Sequence, residues 1–206
     1  MAEKKNPCVE EIRLSKQQQV EVKLFGKWGF GGIEVKDLGL KRYVSLRPTS
    51  VPHTMGRHEH GRFRKSEVNV VERLINDLMQ PGRNAGKKIR VINAVKNAFE
   101  IIELRTGQNP IEALVRAVEN SAPCEDTTRI SYGGIVYHQA VDIAPQRRVD
   151  LALRSITEGA RKASLHNPRT LEECLAEELI LAANKDAKSY AISKRNETER
   201  VAKASR

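Results

Sequence analysis

Residues 66–118 read SEVNVVERLINDLMQPGRNAGKKIRVINAVKNAFEIIELRTGQNPIEALVRAV. Within this stretch Val68, Val71, Leu74, Ile75, Leu78 and Met79 recur at helical spacing. One apolar stripe every three or four residues is the mark of an amphipathic helix. Ser66 is the expected N-cap, and Pro81-Gly82 the stop. Ile89, Ile92, Val95, Phe99 and Ile102 predict a second helix that runs to Gly107. Asn109 caps a third, Pro110 opens it, and Ile111, Leu114, Val115 and Val118 form its stripe.

Further along, Thr127 to Ile143 changes character. It is rich in β-branched and aromatic residues on either side of Gly133-Gly134. A Gly-Gly pair between two such runs predicts a β-hairpin. Two strands alone are marginal, so a lone ribbon in a helical protein is expected to project and grip a partner. Pro145 opens a fourth helix, with Val149, Leu153, Ile156, Ala160 and Ala163 inward. Thr170-x-x-Glu173 is a capping box for a fifth, with Leu171, Leu175, Leu179 and Ala182 inside. Cys174 falls on that apolar stripe and is expected in the core. Residues 196–204 form a sixth, short and exposed.

Residues 1–65 differ from the rest. Glycines at 26, 29, 31 and 32 interrupt Phe25, Trp28, Phe30 and Ile33, which predicts short strands and turns. The stretch from Arg47 to Arg62 has Pro, Gly and charge but no apolar period, and is expected to be an extended arm. The fold class is therefore mostly α. A bundle of five to six helices carries one protruding β-hairpin and an N-terminal arm, with domains at 1–65 and 66–206.

Composition narrows the function. The formal net charge is +10 and only 4% of residues are aromatic. No run approaches the ~20 apolar residues of a bilayer span. The start has no apolar stretch of a secretory signal, and three dispersed cysteines suit a reducing, cytosolic setting. The charge is uneven. Residues 41–65 carry seven basic groups and one acidic, and residues 82–90 carry four basic and none acidic. Residues 145–170 and 185–206 each have a surplus of four, whereas 171–184 have a deficit of four. Separate basic segments point to a polyanionic partner, nucleic acid first. The candidates are Arg57, Arg62, Arg64 and Lys65 on the arm, and Arg83, Lys87, Lys88 and Arg90 around the first interhelical turn. On the fourth helix they are Arg147, Arg148, Arg154, Arg161 and Lys162, with Arg147, Arg154 and Arg161 seven apart on one face. Arg129 and Tyr132 serve at the hairpin.

Catalytic patterns are not met. Gly82 to Lys88 has three residues between its glycines where a phosphate loop has four. Gly26 to Gly32 lacks the dinucleotide fingerprint. His53, His58 and His60 have no paired cysteines and sit among arginines, so neither metal nor cofactor is expected. The carboxylate pairs Glu172-Glu173 and Glu177-Glu178 suit the solvated side of a helix. The different-class alternative is a DNA-binding regulator. It would concentrate its charge on one recognition helix, and an enzyme is a more distant third.

Several strings are more specific. They are Phe63-Arg64-Lys65, Gly82-Arg83-Asn84-x-Gly-Lys-Lys, Asn120-Ser-Ala-Pro-x-Glu-Asp-Thr-Thr-Arg-Ile, Gln139-Ala-Val-Asp-Ile-x-Pro-Gln-Arg-Arg148, Ser189-Tyr-Ala-Ile and Glu199-Arg-Val-Ala-Lys-Ala-Ser-Arg206. Together they resemble the S-seven family of small-subunit ribosomal proteins, whose eukaryotic member is called S-five. The glycine-rich segment before residue 66 resembles the archaeal and eukaryotic branch. The resemblance implies binding to the 3′ major (head) domain of small-subunit rRNA, a part in nucleating head assembly, and a cytoplasmic place in the small subunit. It implies a position at the exit site, where a hairpin tip of Tyr132, Gly133, Gly134, Ile135 and Val136 approaches tRNA and mRNA. The S-eleven protein is an implied neighbour, with no membrane and no homo-oligomer. RNA-facing residues implied on this chain are Arg64, Lys65, Arg83, Lys87, Lys88, Arg129, Arg147 and Arg148, with Lys203 and Arg206 in the tail. Cys124 stands where relatives are expected to carry Arg.

Overall fold

The computed structural model describes residues 22–82 and 84–206; Arg83 and the first 21 residues of the expected arm lie outside the described residues. Among the described residues, seven α-helices and one antiparallel hairpin follow in order. They are α1 (Leu38–Lys41), α2 (Val70–Leu78), α3 (Lys88–Thr106), α4 (Pro110–Ser121), β1 (Glu125–Tyr132), β2 (Ile135–Asp142), α5 (Pro145–Ser164), α6 (Leu171–Ala183) and α7 (Tyr190–Ala204). A short 3-10 turn, Arg64–Glu67, precedes α2.

Helix α6 is the hub. Its sequence is apolar around most of its circumference, and it packs against α3, α4, α5 and α7. Leu175, Ala176, Leu179 and Ala182 are fully buried there, and Cys174 is in the core as its stripe implied. The capping box is formed: Thr170 Oγ1 accepts from the Glu173 amide and the Glu173 carboxylate accepts from the Thr170 amide. Asn109 caps α4, with Pro110 in the first turn. Gly107 ends α3 in the left-handed conformation at φ 65°, which costs little without a Cβ.

Helices α5, α6 and α7 meet at Gly159. A Cβ there would lie 2.9 Å from Tyr190 Cβ and 3.2 Å from the Glu178 carboxylate, so only glycine admits this approach. The buried Glu178 accepts from Ser189 Oγ at 2.7 Å and from the Ala191 amide at 3.0 Å. Ser189 Oγ in turn accepts from the Ile192 amide. A carboxylate against the positive end of α7 is favoured by the helix dipole. This anchorage explains why α7 starts at Tyr190, six residues before the short helix expected from the sequence, and why Ala191, Ile192 and Ala202 are buried.

Two further expectations are corrected. The cap of α2 is Asn69, not Ser66. Asn69 Oδ1 accepts from the Val71 amide at 2.9 Å, while its Nδ2 donates to the Arg47 carbonyl at 2.7 Å. Ser66 instead donates to the Phe63 carbonyl within the 3-10 turn. The N-terminal segment has no strands among the described residues, only the isolated bridges Leu24↔Trp28 and Ser45↔Asn69. Its apolar residues are placed by turns. Leu24, Trp28, Val35, Leu40 and Val44 all join the main core. Trp28 meets Phe99 of α3 edge-on, with centroids 5.7 Å apart, and donates from Nε1 to Glu103.

A charged seam joins α2, α5 and the 3-10 turn. Asp150 of α5 accepts from Arg73 of α2 at 2.6 Å and pairs with Lys65. Asp77, one turn beyond Arg73, is pushed up to about 6 by burial, with Asp150 adding repulsion and Arg73, Arg154 and Lys65 pulling the other way. An Asp raised in the folded state binds more protons than the unfolded chain between its ordinary value near 4 and 6. Stability contributed by its neutral form is complete below that window and lost as pH rises through it. Asp77→Asn is therefore expected to raise the unfolding free energy at pH 8, by up to about 2 kcal/mol, and to leave it nearly unchanged at pH 4. Parallel urea titrations at the two pH values check this. Glu178→Ala is expected to lower stability by roughly 2–4 kcal/mol, since it strands the α7 cap donors, as read from thermal unfolding.

Candidate nucleic-acid interface

The basic residues divide into those bound within the protein and those facing solvent. Arg148 is in the first group. Its side chain is 15% exposed; it donates to the Pro123 carbonyl at 3.1 Å and pairs with Asp37 at 3.1 Å. Its guanidinium also lies 3.5 Å from the exposed Cys124 Sγ. It clamps the N-terminal segment to the start of α5. Lys88 reaches Glu72 at 2.6 Å, and both side chains are largely buried. Burial raises the Glu72 carboxyl, but hydrogen bonds from Lys88 and from the Thr54 amide and hydroxyl outweigh it and hold the group below its ordinary value. Lys65 is committed to Asp150, and Arg64 to Glu59 and Glu67. Arg206 pairs with Glu125 at the base of the hairpin.

The second group is displayed. Arg57, Arg62, Lys87, Arg90, Arg129, Arg154 and Lys203 are exposed, with no acidic oxygen within 4.0 Å among the described residues, although Arg154 stands near enough to Asp77 to favour its charged form. Arg62 lies over the Phe63 ring at 5.4 Å. Arg147 is 65% exposed and only loosely drawn to Asp126, at 3.7 Å. Arg147, Arg154 and Arg161 all face solvent on α5, as their spacing of seven implies. The first turn of α3 adds uncapped amides beside Lys87 and Arg90, because Lys87 offers no cap side chain. A helix N-terminus with free amides favours anions.

The hairpin forms in the register set by its turn. Gly133 and Gly134 have φ of 59° and 82°, the pair of positive values that a two-residue turn needs. Tyr132 pairs with Ile135 and Ile130 with Tyr137. Alternation places Ile130, Tyr132, Ile135 and Tyr137 on one face and Arg129, Ser131, Val136 and His138 on the other. All eight are exposed. The base rests on α7, where the Ala140 amide donates to the Ser205 carbonyl and the Cys124 amide to Glu199. The ribbon thus projects from a fixed root.

The residues singled out in sequence do not converge on one pocket; they are spread over the arm, the α3 start, α5, the ribbon and the tail. Missed in sequence was a groove between the α2–α3 turn and the α5–α6 connection, lined by Arg90, Arg161 and Arg169. The net charge of residues 145–170 signalled Arg161 and Arg169, but not what faces them. No three His, Cys, Asp or Glu side chains gather for a metal among the described residues. No helix among them is long and apolar enough to cross a membrane.

Comparison with known proteins shows the family. The family model described as ribosomal protein S7p/S5e matches residues 40–206. A relative from Cenarchaeum symbiosum, the small ribosomal subunit protein uS7, is 56% identical over 191 residues, covering 89% of this chain and 96% of its own length. The protein of the same name from Methanothermobacter thermautotrophicus is 53% identical over 181 residues, covering 88% and 97%. With most of its length matched by that model and by both archaeal relatives, the chain belongs to the ribosomal protein S7p/S5e family.

Proposed function

We propose that the chain is a structural RNA-binding component of the small ribosomal subunit in the cytoplasm. It binds the 3′ major domain of the small-subunit rRNA and helps nucleate assembly of the head. The family is one of structural proteins, not enzymes. Its ribosomal membership also leaves no ground for the DNA-regulator alternative. The observation that carries the reading is the set of displayed cations: Arg57, Arg62, Lys87 and Arg90 have no acidic group within 4.0 Å among the described residues, and Arg147 and Arg154 are exposed and only loosely drawn to Asp126 and Asp77, although the fold contains many acids. Phosphates are the groups that guanidinium and ammonium on separate faces would neutralise together.

The hairpin supports a second contact, near the exit site. Its tip residues are solvent-exposed rather than packed into the core, and they include Tyr132, with Tyr137 nearby. Aromatic faces stack on unpaired bases, and Arg129 on the opposite face meets phosphates. We place exit-site tRNA and outgoing mRNA there, with the S-eleven protein as neighbour across the channel.

Filter binding to a fragment of the rRNA 3′ major domain, across a salt series, tests the first part. Affinity is expected to fall steeply with salt. Arg147→Ala with Arg154→Ala should reduce the log–log slope by about 1.5–2, one phosphate for each residue, with the melting temperature kept. Arg148→Ala should behave otherwise and lower the melting temperature, because it strands the Asp37 carboxylate and the Pro123 carbonyl. A flat salt response of the intact protein would contradict the proposal. For the second part, deletion of Tyr132 to Val136 is expected to leave rRNA affinity within about twofold and to disturb frame maintenance in a translation assay. Normal frame maintenance with that deletion would remove the hairpin from the exit site.

A further inference from the structure

The groove beside α5 has a chemistry of its own. It encloses about 510 Å³, within the ~300–1,000 Å³ that suits a ligand of nucleotide size. The buried Leu78 and Ala94 give it an apolar floor, and Leu165, 53% exposed, stands at its edge with Leu171, Pro81 and Pro168. Its rim is cationic. Arg90 comes from the first turn of α3, Arg161 from the last turn of α5, and Arg169 from the connection to α6. Glu172 is the acidic residue lining the groove. Arg169 is engaged by Glu177 at 2.7 Å, and Arg161 Nη1 donates to Gln80 Oε1 at 2.8 Å, which leaves its other donors for a ligand. Arg90 has no partner among the described residues.

The rim is held in shape before anything binds. Asn167 Nδ2 donates to the Ala163 carbonyl and its Oδ1 accepts from the Arg169 amide. Ser164 Oγ donates to the Arg161 carbonyl, and the Leu165 amide to that of Lys162. His166 sits at φ 55°, an unusual conformation for a non-glycine residue, maintained by these bonds. A preorganised rim lowers the ordering cost of binding.

An apolar floor under guanidinium groups fits one chemical unit well: a nucleobase with its phosphate. Continuous duplex RNA keeps its bases stacked and presents backbone, 2′-hydroxyls and base edges, which could not fill such a recess, whereas splayed bases of loops and bulges do. We propose that this groove takes a single unpaired nucleotide of the bound RNA. Its base lies on the floor formed by Leu78 and Ala94, with Leu165 at the rim beside it, and its phosphate lies against Arg90 and Arg161. This rests on the RNA-binding function proposed above, and it assigns the α5–α6 connection a role in choosing where on a folded RNA the protein sits.

Two variants test it by different routes. Arg90→Ala with Arg161→Ala removes charge from the rim. Leu165→Trp, at a half-exposed rim position, fills the recess and leaves the charge alone. Each is compared with the full-length chain by fluorescence anisotropy against the rRNA 3′-domain fragment, with circular dichroism melts as the folding control. The charge variant is expected to bind about tenfold more weakly at about 0.1 M salt, with a slope lower by about 1–2. Leu165→Trp is expected to bind roughly five- to tenfold more weakly with the slope unchanged, the mark of a lost base contact. If both bind as the unaltered protein does, the groove is not a nucleotide site although the protein binds RNA. If the unaltered protein itself shows no salt-dependent binding, the RNA-binding function fails and the groove with it. A titration with AMP distinguishes RNA from a free nucleotide. No saturation is expected below about 1 mM, since one nucleotide supplies few of the contacts. Micromolar saturation by AMP, lost in the Arg90/Arg161 variant while RNA affinity is kept, would overturn the assignment to RNA.

Discussion

Helix α6 must bury a broad apolar face against four other helices. Leu175, Ala176, Leu179 and Ala182 are fully buried, while the Glu177 side chain, 45% exposed, marks the face left to water, and burial of such apolar side chains is the main favourable contribution to folding. The three long helices around it, α3, α4 and α5, are therefore committed to turn their own apolar stripes toward it. For α5 the consequence is direct. Val149, Leu153, Ile156 and Ala160 face in, so Arg147, Arg154 and Arg161 face out. At Gly159 the approach is close enough to admit no side chain, and there Glu178 also fixes the start of α7. The tail helix then supplies the seat for the hairpin. One packing requirement thus sets the cationic face and the root of the ribbon together.

Cations serve two purposes in this fold. Arg148, Arg73 and Lys88 are nearly enclosed and bind acids distant in sequence, Asp37, Asp150 and Glu72. Removing one partner of such a pair strands the other, which is strongly destabilising. They act as rivets between the N-terminal segment, α2, α3 and α5. Arg57 and Arg90 are the reverse: solvated, unpartnered among the described residues, and worth little to stability. Arg64 and Lys65 lie between. Their pairs with Glu59, Glu67 and Asp150 are half-exposed, and exposed pairs of this kind hold weakly enough for a phosphate to compete. Sequence neighbours can therefore have opposite roles, as Arg147 and Arg148 do.

The helices from α3 to α6 could be read from periodicity because each buries an apolar stripe, and α4, α5 and α6 carry start signals such as Asn109-Pro110, Pro145 and the Thr170 box. Two stripes stop short of their expected ends, since Ile89 of α3 and Ala163 of α5 are exposed. The Gly133-Gly134 turn is likewise a local signal. What escaped is non-local. Residues 24–44 have no period, since turns rather than a repeat deliver Leu24, Trp28 and Leu40 to the core. Ser66 and Asn69 are both good caps, and only the Arg47 carbonyl waiting for Asn69 Nδ2 decides between them. The early start of α7 depends on Glu178, eleven residues before Ser189. Nothing in a linear pattern shows that Arg148 meets Asp37 or that Arg90, Arg161 and Arg169 ring one groove, because these partners come together only in the folded chain.

The central claim is that displayed cations on separate elements, held by one rigid bundle, engage a single folded RNA at once. Photocrosslinking of the full-length protein to small-subunit rRNA, mapped residue by residue, tests this most directly. Crosslinks are expected at residues 57–62, at 87–90, along Arg147, Arg154 and Arg161, and on the hairpin, with none along the α3 face that bears Glu100 and Glu103. Crosslinks confined to a single one of these elements, or spread equally onto that acidic face, would contradict it.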